Sequence, residues 1–402
     1  MCAMFVSVED ARQRARKRLP PSVYHYIEGG KEGENTCVAN ITALSRVRFS
    51  PKLGSGLTKS DISTTVLGHR MSMPVIIAPT GFIRMIHADG ELGAARAAAA
   101  AGVPIAISTV SGEPAQKIVA ANPDTWFQLY MMGGRKGAEY SIETARQAGC
   151  RVLVVTADVA AGTPVDRPSA PLPTKIDIAS AIRFLPEAWN KPGWLMSLLR
   201  GGLVMRAPNA PRNAAGAELS LSEAGKMIIG TPPTWEDLAW VRAQWQGPLV
   251  VKGVMRAEDA KRAIDIGADA ISVSNHGGKV LDGASASISM LPEIAEAVAG
   301  QIEVLLDGGV RRGADIARAC ALGAKAVMIG RPYLWGLAVG GQAGVSDILR
   351  VFRASLSATL AQIGCPSIAA LDRSWLRPLP DEALWNEVPV ESYARFSSGA
   401  DD

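Results

Sequence analysis

The segment EVLLDGGVRRGADIARACALGAKAVMIGRP, residues 303–332, decides the fold. It starts with an apolar run of strand length, continues as an alanine-rich segment of helical periodicity that ends at Gly323, and closes with a second apolar run. Glycine is favoured where a helix ends in a left-handed turn. Runs that are apolar at consecutive positions are typical of parallel strands covered on both faces. The segment therefore predicts one strand–helix–strand unit.

Apolar runs of this kind recur along the chain, and most precede a helical pattern such as that of residues 89–102 or 257–267. Eight can be counted: PVIIAP from Pro74, PIAIS from Pro104, TWFQLY from Thr125, VLVVTAD from Val152, PLVVKG from Pro248, AISVSNH from Ala270, EVLLDGG from Glu303 and AVMIGRP from Ala326. Eight such units predict a closed parallel (β/α)8 barrel, the TIM barrel of the α/β class. We expect residues 1–402 to form a single domain around it.

A barrel of this type needs only about 250 residues, so the excess length must lie outside it. Residues 1–70 precede the first strand and include a helical pattern from Val8 to Arg18, which predicts an N-terminal helical extension. Residues 159–247 join the fourth and fifth strands and far exceed an ordinary loop. Because this insertion follows the carboxyl end of a strand, where such barrels have their active site, we expect it to form a lid over that site.

The lid is basic and carries bulky apolar residues. Between residues 175 and 212, six basic residues stand against two acidic ones: Lys175, Arg183, Lys191, Arg200, Arg206 and Arg212 against Asp177 and Glu187. Trp189, Trp194, Leu195 and Leu198 lie among them. We favour a lid helix that packs on its own barrel and leaves its charges in solvent. Contact with an anionic membrane surface is the alternative.

The composition excludes several classes of protein. A content of 48% hydrophobic and 20% charged residues supports a large core and argues against disorder and coiled coils. The net charge of +4, from 42 basic and 38 acidic residues, is too small to indicate a nucleic-acid partner. No apolar run reaches the roughly 18 residues of a membrane span, and the N-terminus lacks the pattern of a secretory signal.

The cysteines point to a reducing compartment. They are scattered singly, without the close spacing of a metal site: Cys2, Cys37, Cys150, Cys320 and Cys365. An odd number at such spacing makes disulfides and structural zinc unexpected. We therefore expect a cytoplasmic protein without a bound metal.

Residues capable of chemistry follow the strands at the expected active-site face. Glycines and arginines in residues 307–313 and 329–332 follow the seventh and eighth strands, where barrels of this type bind phosphate groups. His276 follows the sixth strand and is a candidate general base. Asp158 closes the fourth strand and could hold an imidazolium, and Lys252 closes the fifth and could stabilise negative charge on a bound ring.

With these residues the chain resembles the FMN-dependent α-hydroxy-acid dehydrogenases and oxidases over nearly its whole length. The matching stretches are LPPSVYHYIEGG, MPVIIAPTG, FQLY, VVTAD, VVKGV, SNHGGKVLDG, LLDGGVRRGAD and ALGAKAVMIGRPYLWGLAVGGQAGV. The resemblance implies a two-electron oxidation of a substrate C–H bond that carries a heteroatom. His276 would take the proton and FMN the hydride equivalent. The family commonly forms tetramers, so the resemblance also implies a homo-oligomer.

The same resemblance implies individual roles. The residues that would bind FMN are Pro79, Thr80, Gly81, Ser108, Gln128, Thr156, Lys252, Ser274, Asp307, Gly308, Gly309, Arg311, Gly330 and Arg331. Of these, Asp307, Gly309, Arg311, Gly330 and Arg331 would hold its phosphate. Asp158 would pair with His276, while Tyr26 and Tyr130 would contact the substrate, Tyr130 also serving in catalysis.

Two positions depart from the family pattern for binding a substrate carboxylate. Lys279 stands where the family has an arginine after the histidine, and Val165 stands where it has a second arginine. A lysine is a point charge and lacks the planar fork that binds a carboxylate through two hydrogen bonds. Arg167 could substitute for the second arginine only if the loop takes another path.

These departures favour a substrate larger than, or different from, a simple 2-hydroxy acid. Segments such as residues 231–240 resemble the mycofactocin-associated branch, which oxidises an amine-bearing, peptide-derived precursor. An ordinary 2-hydroxy-acid oxidase in which Lys279 and Arg167 hold the carboxylate stays open, as does a flavin-binding scaffold without catalysis. The electron acceptor is oxygen or another carrier, and the small Gly81, where family oxidases often have alanine, favours another carrier.

Overall fold

Eight parallel strands close into a barrel in the computed structural model, which describes residues 4–162, 166, 186–202, 206–213 and 215–377. Each strand pairs with its neighbours in chain order, and the eighth pairs with the first. The strands are β1 (Val75–Ile77), β2 (Ile105–Ser108), β3 (Thr125–Leu129), β4 (Val152–Thr156), β5 (Leu249–Val254), β6 (Ala270–Val273), β7 (Glu303–Asp307) and β8 (Ala326–Ile329). Each overlaps one of the eight apolar runs, which confirms the predicted (β/α)8 fold.

Helices surround the barrel and return the chain from one strand to the next. In the described part of the chain they are α1 (Val8–Arg18), α2 (Pro21–Glu28), α3 (Asn35–Arg46), α4 (Gly90–Ala101), α5 (Ala115–Ala121), α6 (Gly134–Ala148), α7 (Pro192–Gly201), α8 (Leu221–Gly230), α9 (Trp235–Gln244), α10 (Ala257–Asp265), α11 (Ser287–Val298), α12 (Gly313–Ala321) and α13 (Arg331–Ile363). None of these helices combines the length and the hydropathy that crossing a bilayer requires.

The barrel interior has a core of its own. Successive side chains of a strand point to opposite faces, so one set fills the barrel and the other packs against the helices. The interior set includes Trp126 and Met328, and it packs with Val66 and Met71 from a short antiparallel hairpin that precedes β1. This hairpin therefore closes the amino-terminal end of the barrel, and the opposite end carries the loops that follow the strands.

The N-terminal extension reaches the loop that follows β6. Arg12 of α1 donates to Glu28 at the end of α2 over 2.8 Å. Asn40 of α3 exchanges two side-chain hydrogen bonds, of 2.9 and 2.8 Å, with Asn275, the residue before His276. Because both amide groups are buried, the bonds satisfy polar atoms that would otherwise be costly to bury. The extension thus helps to fix the candidate base.

The lid insertion contributes α7, α8 and α9 within the described residues. Ser220 forms a capping box with Glu223 at the start of α8, and Thr234 does so with Asp237 at the start of α9. Helix α9 packs beside α6 and precedes β5, so this part of the insertion serves as an ordinary barrel helix. Lys175, Arg183 and Asp177 lie outside the described residues.

Helix α7 packs on the loop that follows β1. Its Trp194 is buried and donates from Nε1 to the backbone oxygen of Met85 over 2.8 Å. The Ser197 hydroxyl accepts a hydrogen bond of 2.8 Å from the backbone N–H of Ala88. These two contacts anchor one face of the helix to the barrel.

Candidate active site

His276 and Asp158 form a hydrogen-bonded pair at the carboxyl end of the barrel. The imidazole Nδ1 lies 3.0 Å from Asp158 Oδ1 and 3.2 Å from Oδ2. When Nδ1 carries a proton and donates it to the carboxylate, Nε2 keeps the lone pair that a general base needs. Burial works to raise the pKa of Asp158, but His276 and Lys252 outweigh it and hold that pKa below the ordinary value. Asp158 therefore stays ionised and can stabilise an imidazolium.

The backbone around the pair is shaped to present it. His276 has a φ of +57°, a conformation that non-glycine residues rarely adopt and that is common at functional sites. Its N–H donates to Ser274 Oγ over 3.0 Å, which supports this turn. A Cβ on Gly253 of β5 would lie 2.6 Å from the Cβ of Asp158. Only glycine at that position leaves room for Asp158 beside the histidine.

Lys252 lies beneath the pair in a buried network. Its ammonium donates to Ser274 Oγ over 2.7 Å and lies 3.0 Å from Asp307 Oδ2. Burial works to lower the pKa of Lys252, but the carboxylates of Asp307 and Asp158 outweigh it and raise that pKa. The lysine therefore keeps its positive charge, and Asp307, which also lines the pocket, is one of the groups that hold this charge.

A pocket runs from this network to the start of α13. All the residues expected to bind FMN line it except Ser274, which lies behind Lys252. Ser108 and Thr156 are the last residues of β2 and β4, and Gln128 is the second-last residue of β3. Gln128 donates to the Thr156 hydroxyl over 2.9 Å. The floor of the pocket thus has side-chain donors and acceptors of the kind that bind a polar ring edge.

The far end of the pocket suits a phosphate group. Helix α13 begins at Arg331, and its N-cap, Gly330, provides no side-chain hydrogen bond. The N–H groups of a helix N-terminus bind anions. A Cβ added to Gly330 would meet no atom within 4 Å, so the glycine faces open space. Arg311 also lines this end, with its guanidinium 4.9 Å from the centre of the Trp335 ring.

Two basic side chains at the pocket are engaged by the N-terminal extension. Arg331 donates to the backbone oxygens of Glu28, Gly277 and Gly29 over 2.9, 2.8 and 3.0 Å. Lys279 donates to the backbone oxygens of Tyr26 and Gly29, each over 2.9 Å. Sequence reasoning assigned Arg331 to a phosphate and considered Lys279 for a carboxylate, but their charged groups point to carbonyls of residues 26–29 and 277. Arg167 lies outside the described residues.

The two tyrosines expected at the substrate have different surroundings. Tyr130 lines the pocket, and the Tyr26 hydroxyl donates to the backbone oxygen of Gly81 over 2.9 Å. Burial raises the pKa of Tyr26 to about 12. Burial and the charge of Asp158 also raise the pKa of Tyr130. Both phenols therefore stay protonated at neutral pH, and the Tyr26 hydroxyl uses its proton in the bond to Gly81.

Sequence reasoning missed several residues of the site. Ile228 of the lid helix α8 and Val110 after β2 line the pocket and supply apolar surface. Glu28 accepts hydrogen bonds from Arg12 and from Trp335 Nε1. Glu28 could have been found from the sequence IEGG at residues 27–30, where a carboxylate precedes a glycine turn. Nothing in the sequence of α8 marks Ile228 as a pocket residue.

With the geometry established, comparisons with known proteins define its class. The family model described as FMN-dependent dehydrogenase matches residues 15–378. Pre-mycofactocin synthase of Mycobacterium tuberculosis is 45% identical over 368 residues, which cover 91% of this chain and 93% of that protein. Human 2-hydroxyacid oxidase 1 is 35% identical over 382 residues, with 94% and 98% covered. The crystal structure of the monotopic membrane protein (S)-mandelate dehydrogenase has a TM-score of 0.85 at 35% identity and covers 93% of this chain and 99% of its own.

The fold, the pocket and these matches define a flavin-dependent oxidoreductase. The chain belongs to the FMN-dependent dehydrogenase family, and its cofactor is FMN.

A pH-dependent stability follows from the position of Lys279. Burial and the nearby charge of Arg331 lower its pKa from 10.5 to about 7. Between these two pH values the lysine is protonated in the unfolded chain and neutral in the folded chain. The free energy of unfolding therefore rises with pH in this range. This stabilisation is lost as pH falls through about 7. We expect Lys279→Met to flatten the rise seen between about pH 7 and about pH 9 in urea unfolding.

The matched control for this prediction is Lys261→Met, at an exposed position of α10. It removes a lysine of the same length from the surface and should leave the pH profile unchanged. A profile that Lys279→Met does not flatten would contradict the lowered pKa.

Proposed function

We propose that this enzyme oxidises a C–H bond next to a hydroxyl or amino group in a substrate other than a simple 2-hydroxy acid. The observation that carries the proposal is the orientation of Lys279, whose ammonium is bound by the backbone oxygens of Tyr26 and Gly29. Lys279 already donates hydrogen bonds to two backbone oxygens, and burial lowers its pKa to about 7, which reduces its positive charge at neutral pH. Such a side chain is a poor ligand for a carboxylate.

In the proposed reaction, each residue of the pocket has a different role. FMN, when bound, supplies the two-electron acceptor for the substrate C–H bond. His276 Nε2 takes the proton from the substrate O–H or N–H, and Asp158 stabilises the resulting imidazolium across the 3.0 Å contact. Lys252 keeps a positive charge in the pocket, where it stabilises negative charge that develops there. Tyr130 donates a hydrogen bond to the substrate heteroatom, whereas the Tyr26 hydroxyl donates to Gly81 and can accept a hydrogen bond from the substrate.

The binding of FMN is assigned to the same pocket. The side chains of Ser108, Gln128 and Thr156 would bind the ring, together with the backbone of Pro79, Thr80 and Gly81. The N-terminus of α13, Gly308, Gly309 and Arg311 would bind the phosphate. In this proposal Arg331 contributes its backbone at the helix N-terminus, because its guanidinium is already bound by carbonyls.

The identity of 45% to pre-mycofactocin synthase supports a substrate of that branch's chemical class, an amine-bearing, peptide-derived compound. The lid offers an apolar surface for such a group, since Ile228 of α8 lines the pocket. A flavin-binding scaffold would need neither the hydrogen-bonded pair of His276 and Asp158 nor the buried charge of Lys252, so these groups favour an enzyme.

The test is anaerobic reduction of the purified yellow protein. We expect no bleaching of the flavin absorbance with lactate, glycolate or mandelate, and bleaching with amine-bearing peptide-like compounds. Rapid bleaching by any of the three hydroxy acids would overturn the proposal and favour an ordinary 2-hydroxy-acid oxidase. Photochemical reduction of the same sample is the control that the flavin itself is competent, and a protein bleached only by light would favour the scaffold.

For the electron acceptor we infer a carrier other than oxygen. Gly81 faces Val110 closely, because a Cβ on Gly81 would lie 2.4 Å from Val110 Cγ2. Alanine, which family oxidases often have here, would therefore require Val110 to move. We expect the anaerobically reduced enzyme to reoxidise in air much more slowly than it turns over with an artificial acceptor. Reoxidation in air as fast as turnover would make the protein an oxidase.

The free cysteines of this chain fit a location in the cytoplasm. The assembly that fits the family is a homo-oligomer. The described cysteines, Cys37, Cys150, Cys320 and Cys365, are all free thiols. Burial raises the pKa of both Cys150 and Cys320 to about 12, which keeps them unreactive. Thiols of this kind suit a reducing compartment.

A further inference from the structure

A carboxylate lies close to the end of the pocket that suits a phosphate group. Glu28 ends α2, and its Oε2 accepts a hydrogen bond of 3.1 Å from Trp335 Nε1 of α13. The guanidinium of Arg311, which lines the pocket, lies 4.9 Å from the centre of the Trp335 ring. Glu28 is therefore separated by one side chain from a residue assigned to the phosphate. A negative charge in this position repels a phosphate group, which is itself anionic at neutral pH.

Glu28 carries its negative charge in the folded protein. Burial works to raise its pKa, but the positive charges of Arg12, Arg331 and Arg311 outweigh burial and hold that pKa below the ordinary value. Arg331 and Arg311 line the pocket, whereas Arg12 belongs to α1. An ionised carboxylate next to the two pocket arginines lowers the positive potential that they offer to an anion. The phosphate end therefore needs a further cation to balance Glu28.

Arg12 supplies this cation from the N-terminal extension. Its Nε donates to Glu28 Oε1 over 2.8 Å, and the two side chains are 27 and 24% exposed, so solvent screens the pair only in part. Its guanidinium also lies 6.0 Å from the centre of the Trp335 ring. Among the cations that lower the pKa of Glu28, Arg12 has the largest effect. The extension thus neutralises a carboxylate that would otherwise act on the phosphate end.

The geometry points to an electrostatic role at a distance: we propose that Arg12 is a positioning residue for FMN, which neutralises Glu28 and so leaves Arg311 to the phosphate. This inference rests on the phosphate position assigned under the proposed function. Within the described part of the chain, Arg12 is not one of the residues that line the pocket. The N-terminal extension therefore contributes to the retention of FMN through a residue that does not touch it.

The experiment is an exchange of cofactor in the full-length FMN-loaded protein. Riboflavin has the ring and the ribityl chain of FMN but no phosphate, so the equilibrium between bound FMN and added riboflavin measures the preference for the phosphate alone. Bound and free flavins are separated by ultrafiltration and quantified by chromatography. A general loosening of the pocket weakens the binding of both flavins and leaves this preference unchanged.

We expect Arg12→Met to lower the preference for FMN over riboflavin by roughly tenfold, because Glu28 is left as an uncompensated charge near the phosphate. The double variant Arg12→Met/Glu28→Gln should recover the preference to within about a factor of two of the wild type, since the repelling charge is also gone. Both variants lack the ion pair between α1 and α2. A loss caused by movement of α1 would therefore be the same in both.

Two further variants serve as controls. Arg14→Met removes an arginine of α1 that is 51% exposed and pairs with Asp10, and it should leave the preference unchanged. Arg311→Met tests the phosphate site directly and should lower the preference whatever the role of Arg12. The exchange uses no substrate, so its result is independent of the oxidation reaction proposed above.

Two outcomes would overturn the role of Arg12 and leave the phosphate site in place. The first is a preference that Arg12→Met does not change although Arg311→Met lowers it. The second is a loss in Arg12→Met that the double variant keeps in full. A preference that Arg311→Met does not change would place the phosphate elsewhere, and it would overturn both this inference and the assignment on which it rests.

Discussion

Replacement of His276 by alanine is expected to slow the reduction of the bound flavin by substrate by 10² to 10⁴-fold, roughly 3–5 kcal/mol in the activation free energy. In the proposed function the imidazole takes the proton, and its Nδ1 contact of 3.0 Å to Asp158 leaves Nε2 for that task. Alanine removes the imidazole and leaves the neighbouring residues of the pocket unchanged. The measurement is anaerobic stopped-flow absorbance with whichever compound reduces the wild type.

The control is His25→Ala, which removes an exposed imidazole from α2 and should leave the rate unchanged. Flavin content should be equal in both variants and in the wild type. A rate of flavin reduction in His276→Ala that is within a factor of a few of the wild type would remove His276 from the role of base.

Replacement of Lys252 by methionine is expected to lower the free energy of unfolding by about 3–5 kcal/mol, the usual cost of removing one partner from a buried ion pair. Lys252 and Asp307 are both buried, and the ammonium lies 3.0 Å from the carboxylate. Methionine has a similar length but leaves the Asp307 carboxylate without its counter-charge. Urea unfolding followed by far-ultraviolet circular dichroism measures the loss.

Arg256→Met is the matched control, because Arg256 follows the same strand and its side chain is 73% exposed beside Glu258. An exposed ion pair contributes at most about 1 kcal/mol. Repeating the Lys252→Met unfolding at two FMN concentrations separates the lost ion pair from weakened FMN binding, since only the second depends on ligand concentration. A loss no larger than that of Arg256→Met would contradict the buried charge pair.

The barrel could be predicted from the sequence because buried parallel strands have a strong local signature. VLVVTAD and AISVSNH are apolar at successive positions, and the barrel strands β4 and β6 lie where these runs do. The residues that follow such strands meet at one end of the barrel. The sequence therefore also placed His276, Asp158 and Lys252 together.

The directions of the long basic side chains could not be predicted in this way. A lysine or arginine reaches acceptors on any nearby element, and the acceptors here are backbone oxygens of the N-terminal extension. The turn after α2 supplies the oxygen of Gly29 to both Lys279 and Arg331. Carbonyl oxygens are present at every residue, so their positions leave no trace in the amino-acid types. Ile228 of the lid was missed for another reason, because nothing in the sequence of α8 marks it as a pocket residue.

The binding of Lys279 and Arg331 by carbonyls of the N-terminal extension has a consequence for protein engineering. A designer who wants a carboxylate-binding enzyme would exchange Lys279 for arginine, yet the new guanidinium would meet the same oxygens of Tyr26 and Gly29. Re-targeting this barrel therefore requires the turn at residues 26–30 to be redesigned together with position 279. Under the proposed function, substrate choice is encoded jointly by two segments about 250 residues apart in the sequence.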